Sequence, residues 1–154
     1  MGDRHGATKL EKYLRIHEGH MRGWVASGFV LVDGVEFSGF GKGLYTLIGV
    51  IECAGGIDLE VRKLLAVVDG EGGNERVQTV WYSYNAKLRG RGNILRYDCP
   101  DDHREADHVH RFDVFDGDDD GRVENLPPRE WPTIDQVLEE LEAWYREHHN
   151  KLPH

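Results

Sequence analysis

Cysteine is nearly absent: Cys53 and Cys99 are the only two among 154 residues. A disulfide between them is not expected, and Pro100 and the acids around Cys99 do not favour a reactive thiolate there. Long apolar runs are missing too. No stretch approaches the length of a membrane span, and the start, "MGDRHGATKL", has no apolar signal region. The expectation is a cytoplasmic protein with reduced thiols and no membrane partner. Positive charge is scarce, with 19 Lys and Arg against 28 Asp and Glu and a formal net charge of -9. That argues against a general binder of nucleic acid, because attraction to phosphates needs a basic surface. A Walker loop is lacking, since "GFGKG" has no strand–GxxxxGK[ST]–helix context. There is no internal repeat. Acid pairs are too numerous to single out a glycosidase dyad.

What is present suffices for one domain over residues 1–154 with a core of its own. In "TKLEKYLRIHEGHMRGWV", Leu10, Tyr13, Leu14 and His17 fit one helical face, which predicts a short helix or an arm. "GWVASGFVLVDGVEFSGFG" alternates around Asp33-Gly34 and reads as a hairpin. Two β-rich runs flank Ala54-Gly55-Gly56, where glycine permits positive φ in a tight connection. In the second run Leu59, Val61 and Lys63 share a face, with Glu60, Arg62 and Leu64 on the other. "RVQTVWYSYNAKL" is the next strand; strict alternation puts Val77, Thr79, Trp81 and Ser83 on one face and Val80, Tyr82 and Tyr84 on the other. "ILRYD" and "HVHRFDVFDG" are two more short strands. "DGDDDG", from Asp116 to Gly121, mimics the first half of a calcium loop, but its twelfth position is Pro127 instead of glutamate, so an acidic hairpin tip is expected. The clearest element is "TIDQVLEELEAWYREHH". Ile134, Val137, Leu138, Leu141 and Tyr145 form one helical stripe, and Thr133 with Gln136 makes a capping-box pattern. Together these predict an α+β fold: an antiparallel, strongly twisted, meander-like sheet packed against a C-terminal helix and a short N-terminal helix.

The packet "RYDCPDDHREADHVH", Arg96 to His110, holds the densest group of imidazoles: His103, His108 and His110. On strands, His108 and His110 share a face, as do Arg96 and Asp98, with Tyr97 on the opposite one. Pairing the two strands would gather Arg96, Asp98, His108 and His110, with His103 on the connection and Asp101, Asp102 and Glu105 as solvated loop. Three outcomes fit such a group. It can be a polar crossover with satisfied histidines. It can bind a transition metal through His103, His108, His110 and an aspartate. It can also act as acid and base, with arginine stabilising a phosphorane-like charge, and cleave RNA without a metal by using the 2′-hydroxyl as nucleophile. In that case Tyr82, Tyr84 and Tyr97 would stack on bases or donate hydrogen bonds, and Lys87, Arg89 and Arg91 in "KLRGRGNILR" would supply a basic patch.

The motif order resembles the TumE family. The matching pieces are Tyr82-Ser83-Tyr84, Arg96-Tyr97-Asp98, His103, His108-Val109-His110, Pro132 and the helix from Ile134, spread over roughly residues 76–147. Between "RYD" and His103 this chain carries Cys99-Pro100-Asp101-Asp102, a departure from the family pattern, and its first half matches less well. The resemblance implies the toxin of a type II toxin–antitoxin pair, working beside a cognate antitoxin protein. RNA cleavage is inferred from the residue types, with His108 and His110 as acid and base, Arg96 stabilising charge, Asp98 orienting a histidine, His103 and the tyrosines holding RNA, and no cofactor. The alternatives are a non-enzymatic protein-binding module and a metal-dependent nuclease. The oligomeric state stays open, with a homodimer among the options.

Overall fold

The computed structural model describes residues 9–39, 41–69, 75–99, 107–117, 121–127 and 131–152. Helix α1 (Leu10–Ser27) is followed by strands β1 (Val30–Asp33), β2 (Glu36–Gly39) and β3 (Leu44–Cys53), then by a 3₁₀ turn at Ala54–Gly56. Strands β4 (Ile57–Asp69), β5 (Glu75–Leu88), β6 (Gly92–Asp98), β7 (His108–Arg111) and β8 (Arg122–Asn125) complete the sheet, and helix α2 (Ile134–His148) follows. The sheet is antiparallel, ordered β1-β3-β4-β5-β6-β7-β8, with β2 also on β3. From β3 onward, neighbours in sequence are neighbours in space. The fold is therefore α+β, with a meandering sheet and a helix at each end of the chain.

One face of the sheet is apolar. Leu47, Ile51, Leu59, Val61, Leu65, Val77, Tyr82, Tyr84, Ala86, Leu95, Tyr97 and Val109 are buried there, in one cluster with Ile134, Val137, Leu138 and Leu141 of α2. The predicted capping box is present: Thr133 Oγ1 accepts from the Gln136 amide, and the Gln136 side chain accepts from the Thr133 amide. Helix α1 runs 18 residues, through "GWVAS", and its inward stripe continues from Leu10, Tyr13 and His17 to Met21 and Trp24. Trp24 Nε1 donates to Asp135 at the start of α2, 2.8 Å away, and so joins the two helices.

The strands depart from simple alternation at two places. Asp33-Gly34 does not close a hairpin. β1 and β2 pair in succession along β3, Asp33 opposite Ile51 and Glu36 opposite Ile48. The Asp33 carboxylate accepts from the Val35 amide, and the Gly34 amide donates to the Val50 carbonyl, so the chain jogs and continues along one edge. In β5, alternation breaks at a bulge: Leu64 faces Trp81 but Leu65 faces Thr79, leaving Val80 without a partner residue. Val77 and Thr79 before the bulge and Tyr82 and Tyr84 after it therefore all point to the core, and Trp81 and Ser83 point outward. The Ala54–Gly56 connection is as expected, with positive φ at Gly55 and Gly56.

Candidate active site

The outward face of the sheet gathers polar side chains across five strands. Residues directly opposite one another lie side by side on one face. Arg62 of β4 faces Ser83 of β5, which faces Asp98 of β6, which faces His108 of β7, which faces Asn125 of β8. In the next polar row Glu60 faces Asn85, which faces Arg96, which faces His110. The pairing of β6 with β7 thus brings Arg96, Asp98, His108 and His110 onto one patch, the arrangement that their two-residue spacing suggests.

Asp98 is at its centre. Arg96 Nε donates to Asp98 Oδ2 at 2.9 Å. His108 Nε2 and His110 Nε2 each lie 3.7 Å from that same oxygen. This is too long for a hydrogen bond and short enough for a shared ion or proton to bring them together. The two imidazoles meet edge to face with centroids 4.8 Å apart, and His110 stacks on Phe112 at 6.2 Å. Burial lowers the His110 pKa; Arg96 and His108 push the same way, and Asp98 opposes them. His110 Nδ1 and Asn85 Oδ1 are buried without hydrogen-bond partners among the described residues. Ligand atoms of Asp98, His108 and His110 all lie within 4.8 Å of one another, a set with two nitrogens and one oxygen that a metal ion can bridge.

The other expected site residues are placed differently. Tyr82 and Tyr84 are fully buried, their rings stacked on each other at 5.2 Å and Tyr82 against Trp131, so neither offers a face to a base. The Tyr82 hydroxyl donates to Asp107 at 3.2 Å. Tyr97 is also on the core side, its hydroxyl donating 2.6 Å to Glu140 of α2, which also binds Arg111. The basic patch is neutralised: Lys87 pairs with Glu60 at 3.0 Å, and Arg89 binds Asp58 through two hydrogen bonds of 2.9 Å with Glu52 nearby. Arg91 sits over the Phe115 ring, 5.5 Å from its centroid. His103, Asp101, Asp102 and Glu105 lie outside the described residues, as do Asp118 and Asp120 of the acidic tip. The thiol of Cys53 is buried, its pKa pushed up to about 12 by that burial and by Asp58, which leaves it unreactive.

Arg62, Ser83 and Asn85 were not among the sequence candidates. Their place beside the histidines depends on the β4–β5–β6 register, which a bulge in β5 and another at Ile94 shift. Their alternation with buried Tyr82, Tyr84 and Ala86 is the signal that marks Ser83 and Asn85 as outward-facing.

No family model, curated protein or solved structure matches this chain. Among the described residues, no helix is long and apolar enough to cross a membrane.

Proposed function

We propose that the chain is a toxin-like RNA-cleaving enzyme that uses His108 and His110 as its acid–base pair without a metal. The observation that carries this reading is the convergence of both imidazole Nε2 atoms and the Arg96 guanidinium on Asp98. In the reaction, one neutral imidazole takes the 2′-hydroxyl proton as O2′ attacks phosphorus. The other, protonated, gives its proton to O5′ as the P–O5′ bond breaks, leaving a 2′,3′-cyclic phosphate and a free 5′-hydroxyl. Arg96 supports the charge that builds on the phosphorus oxygens, and Asp98 holds the imidazoles in register. Arg62, Ser83 and Asn85 line the approach in place of the buried tyrosines. The toxin role, with a cognate antitoxin as partner, rests on the motif order that resembles the TumE family.

The test is incubation of the purified full chain with a defined RNA in EDTA. Cleavage with cyclic phosphate ends is expected, blocked by a 2′-deoxy substitution at the scissile position. His108→Ala and His110→Ala should each slow it by about 10²–10⁴-fold. RNA left intact, or growth inhibition that survives both substitutions together, rules the assignment out.

A further inference from the structure

The same patch carries a second chemistry. We infer that Asp98, His108 and His110 form a reversible transition-metal site, suited to Zn²⁺, and that an ion bound there switches the acid–base pair off. Two imidazole nitrogens and one carboxylate oxygen favour zinc and its neighbours over calcium or magnesium, which take all-oxygen shells. Three protein ligands leave a coordination position for solvent, so the site needs no further residue.

The geometry asks for side-chain rotation and no backbone shift. Zinc bonds of about 2.0–2.1 Å in a tetrahedron place ligand atoms about 3.4 Å apart, so the 3.7 Å separations of both histidines from Asp98 close by about 0.3 Å, and the two imidazole nitrogens, within 4.8 Å of each other, by at most about 1.4 Å. Rotation of three partly buried side chains supplies that, while the paired strands β6 and β7 hold the backbone still. Asp98 is the aspartate of the expected ligand set, beside His108 and His110, while His103 lies outside the described residues. Arg96 works against the ion: its Nε lies 2.9 Å from Asp98 Oδ2 and brings positive charge beside the cation. The site is therefore one for an exchangeable ion, not for a permanent structural zinc.

Exclusion follows from orbital bookkeeping. An Nε2 lone pair bound to metal neither accepts nor delivers a proton, so metal and acid–base chemistry compete for the same two atoms. This switching rests on the RNA-cleavage reading; metal binding itself does not.

The experiment uses the full chain, stripped with EDTA and dialysed, then titrated calorimetrically with Zn²⁺ and followed by visible absorption with Co²⁺. One ion per chain is expected, with tetrahedral Co²⁺ bands. Asp98→Asn, His108→Ala and His110→Ala should each weaken binding at least tenfold, and His20→Ala, on the exposed side of α1, should not. In parallel, RNA cleavage seen in EDTA should fall by at least tenfold at one equivalent of bound Zn²⁺. Absence of a one-to-one ion, or affinity indifferent to the three site substitutions, overturns the metal site and leaves the acid–base reading standing. A bound ion with unchanged cleavage overturns the switch. Cleavage only by the loaded protein overturns both the switch and the metal-free reading. A bound ion with no cleavage in either state confirms the metal site and overturns the RNA-cleavage reading.

Discussion

Lys63 places an amine on the core face of β4, where it is 3% exposed and its Nζ lies 5.3 Å from the centroid of the Tyr13 ring. Burial lowers its pKa from 10.5 to about 8. The groups around it are Tyr13 and His17 from α1, Tyr82 opposite it on β5, and Asp33 of β1, which acts on His17. Nearby in the core, Tyr84 Oη and Thr79 Oγ1 find no partner among the described residues. The unfolded lysine keeps its proton up to about pH 10.5, the folded one only up to about 8. Between those values the unfolded state binds more protons, so stability rises with pH. Below pH 8 the penalty is fully present, on the order of 3 kcal/mol at about 1.4 kcal/mol per pH unit. Above pH 10 Tyr13 acts in the opposite sense, because burial raises its pKa and the folded state then holds the extra proton. Lys63→Met should therefore stabilise the protein by about 1–3 kcal/mol at pH 7 and flatten the rise between pH 8 and 10. Urea unfolding at one-unit steps checks this. An unchanged slope, or a loss of stability at pH 7, would mean that the lysine charge is not carried into the core.

At the scale of elements, the edge where β1 gives way to β2 depends on two glycines meeting across strands. A Cβ on Gly49 would lie 2.1 Å from the Gly34 carbonyl oxygen and 2.7 Å from the Val35 Cα, both backbone atoms that cannot step aside. Gly49→Ala should thus destabilise by at least about 2 kcal/mol. Gly23→Ala is the contrast: it sits in α1 with no atom within 4 Å of a new Cβ, and should stabilise by about 0.5–1 kcal/mol. Thermal melts of both variants test the pair; equal effects would contradict the close crossing. The same edge marks where sequence reading fails. Period and capping suffice for α2, for the β3–β4 connection and for the shared faces of Arg96 with Asp98 and His108 with His110, because those signals are local. The β1–β2 jog and the Val80 bulge are invisible to alternation, since each is defined by what the partner strand does. Gly19 and Gly23 disfavour helix locally, yet α1 runs through both because Met21 and Trp24 pack inward. Tyr82 and Tyr84 look like base-stacking residues until the bulge turns them into the core. The histidine patch was legible as two half-sets; that they meet is a property of the β6–β7 register.

Over the whole molecule, the net charge of -9 opposes the approach of RNA, and the local arrangement does little to relieve it. Lys87 and Arg89, the natural steering residues, are held by Glu60, Asp58 and Glu52, so the strip beside the patch presents pairs instead of free cations. Nucleases that engage the phosphate backbone through a basic surface lose affinity steeply as salt rises, because binding releases counterions. Here the long-range term has the opposite sign. Salt shortens the Debye length to about 8 Å near physiological ionic strength and screens repulsion between acidic protein and polyanion. Cleavage of a long RNA, measured as kcat/KM, should therefore rise or stay level between about 20 and 150 mM salt. A dinucleotide carries a single phosphate and feels the field least, so its cleavage should respond less. If salt instead inhibits with a steep negative slope, free basic residues must contact several phosphates, and the acid-paired strip around Lys87 and Arg89 is not the surface that RNA meets.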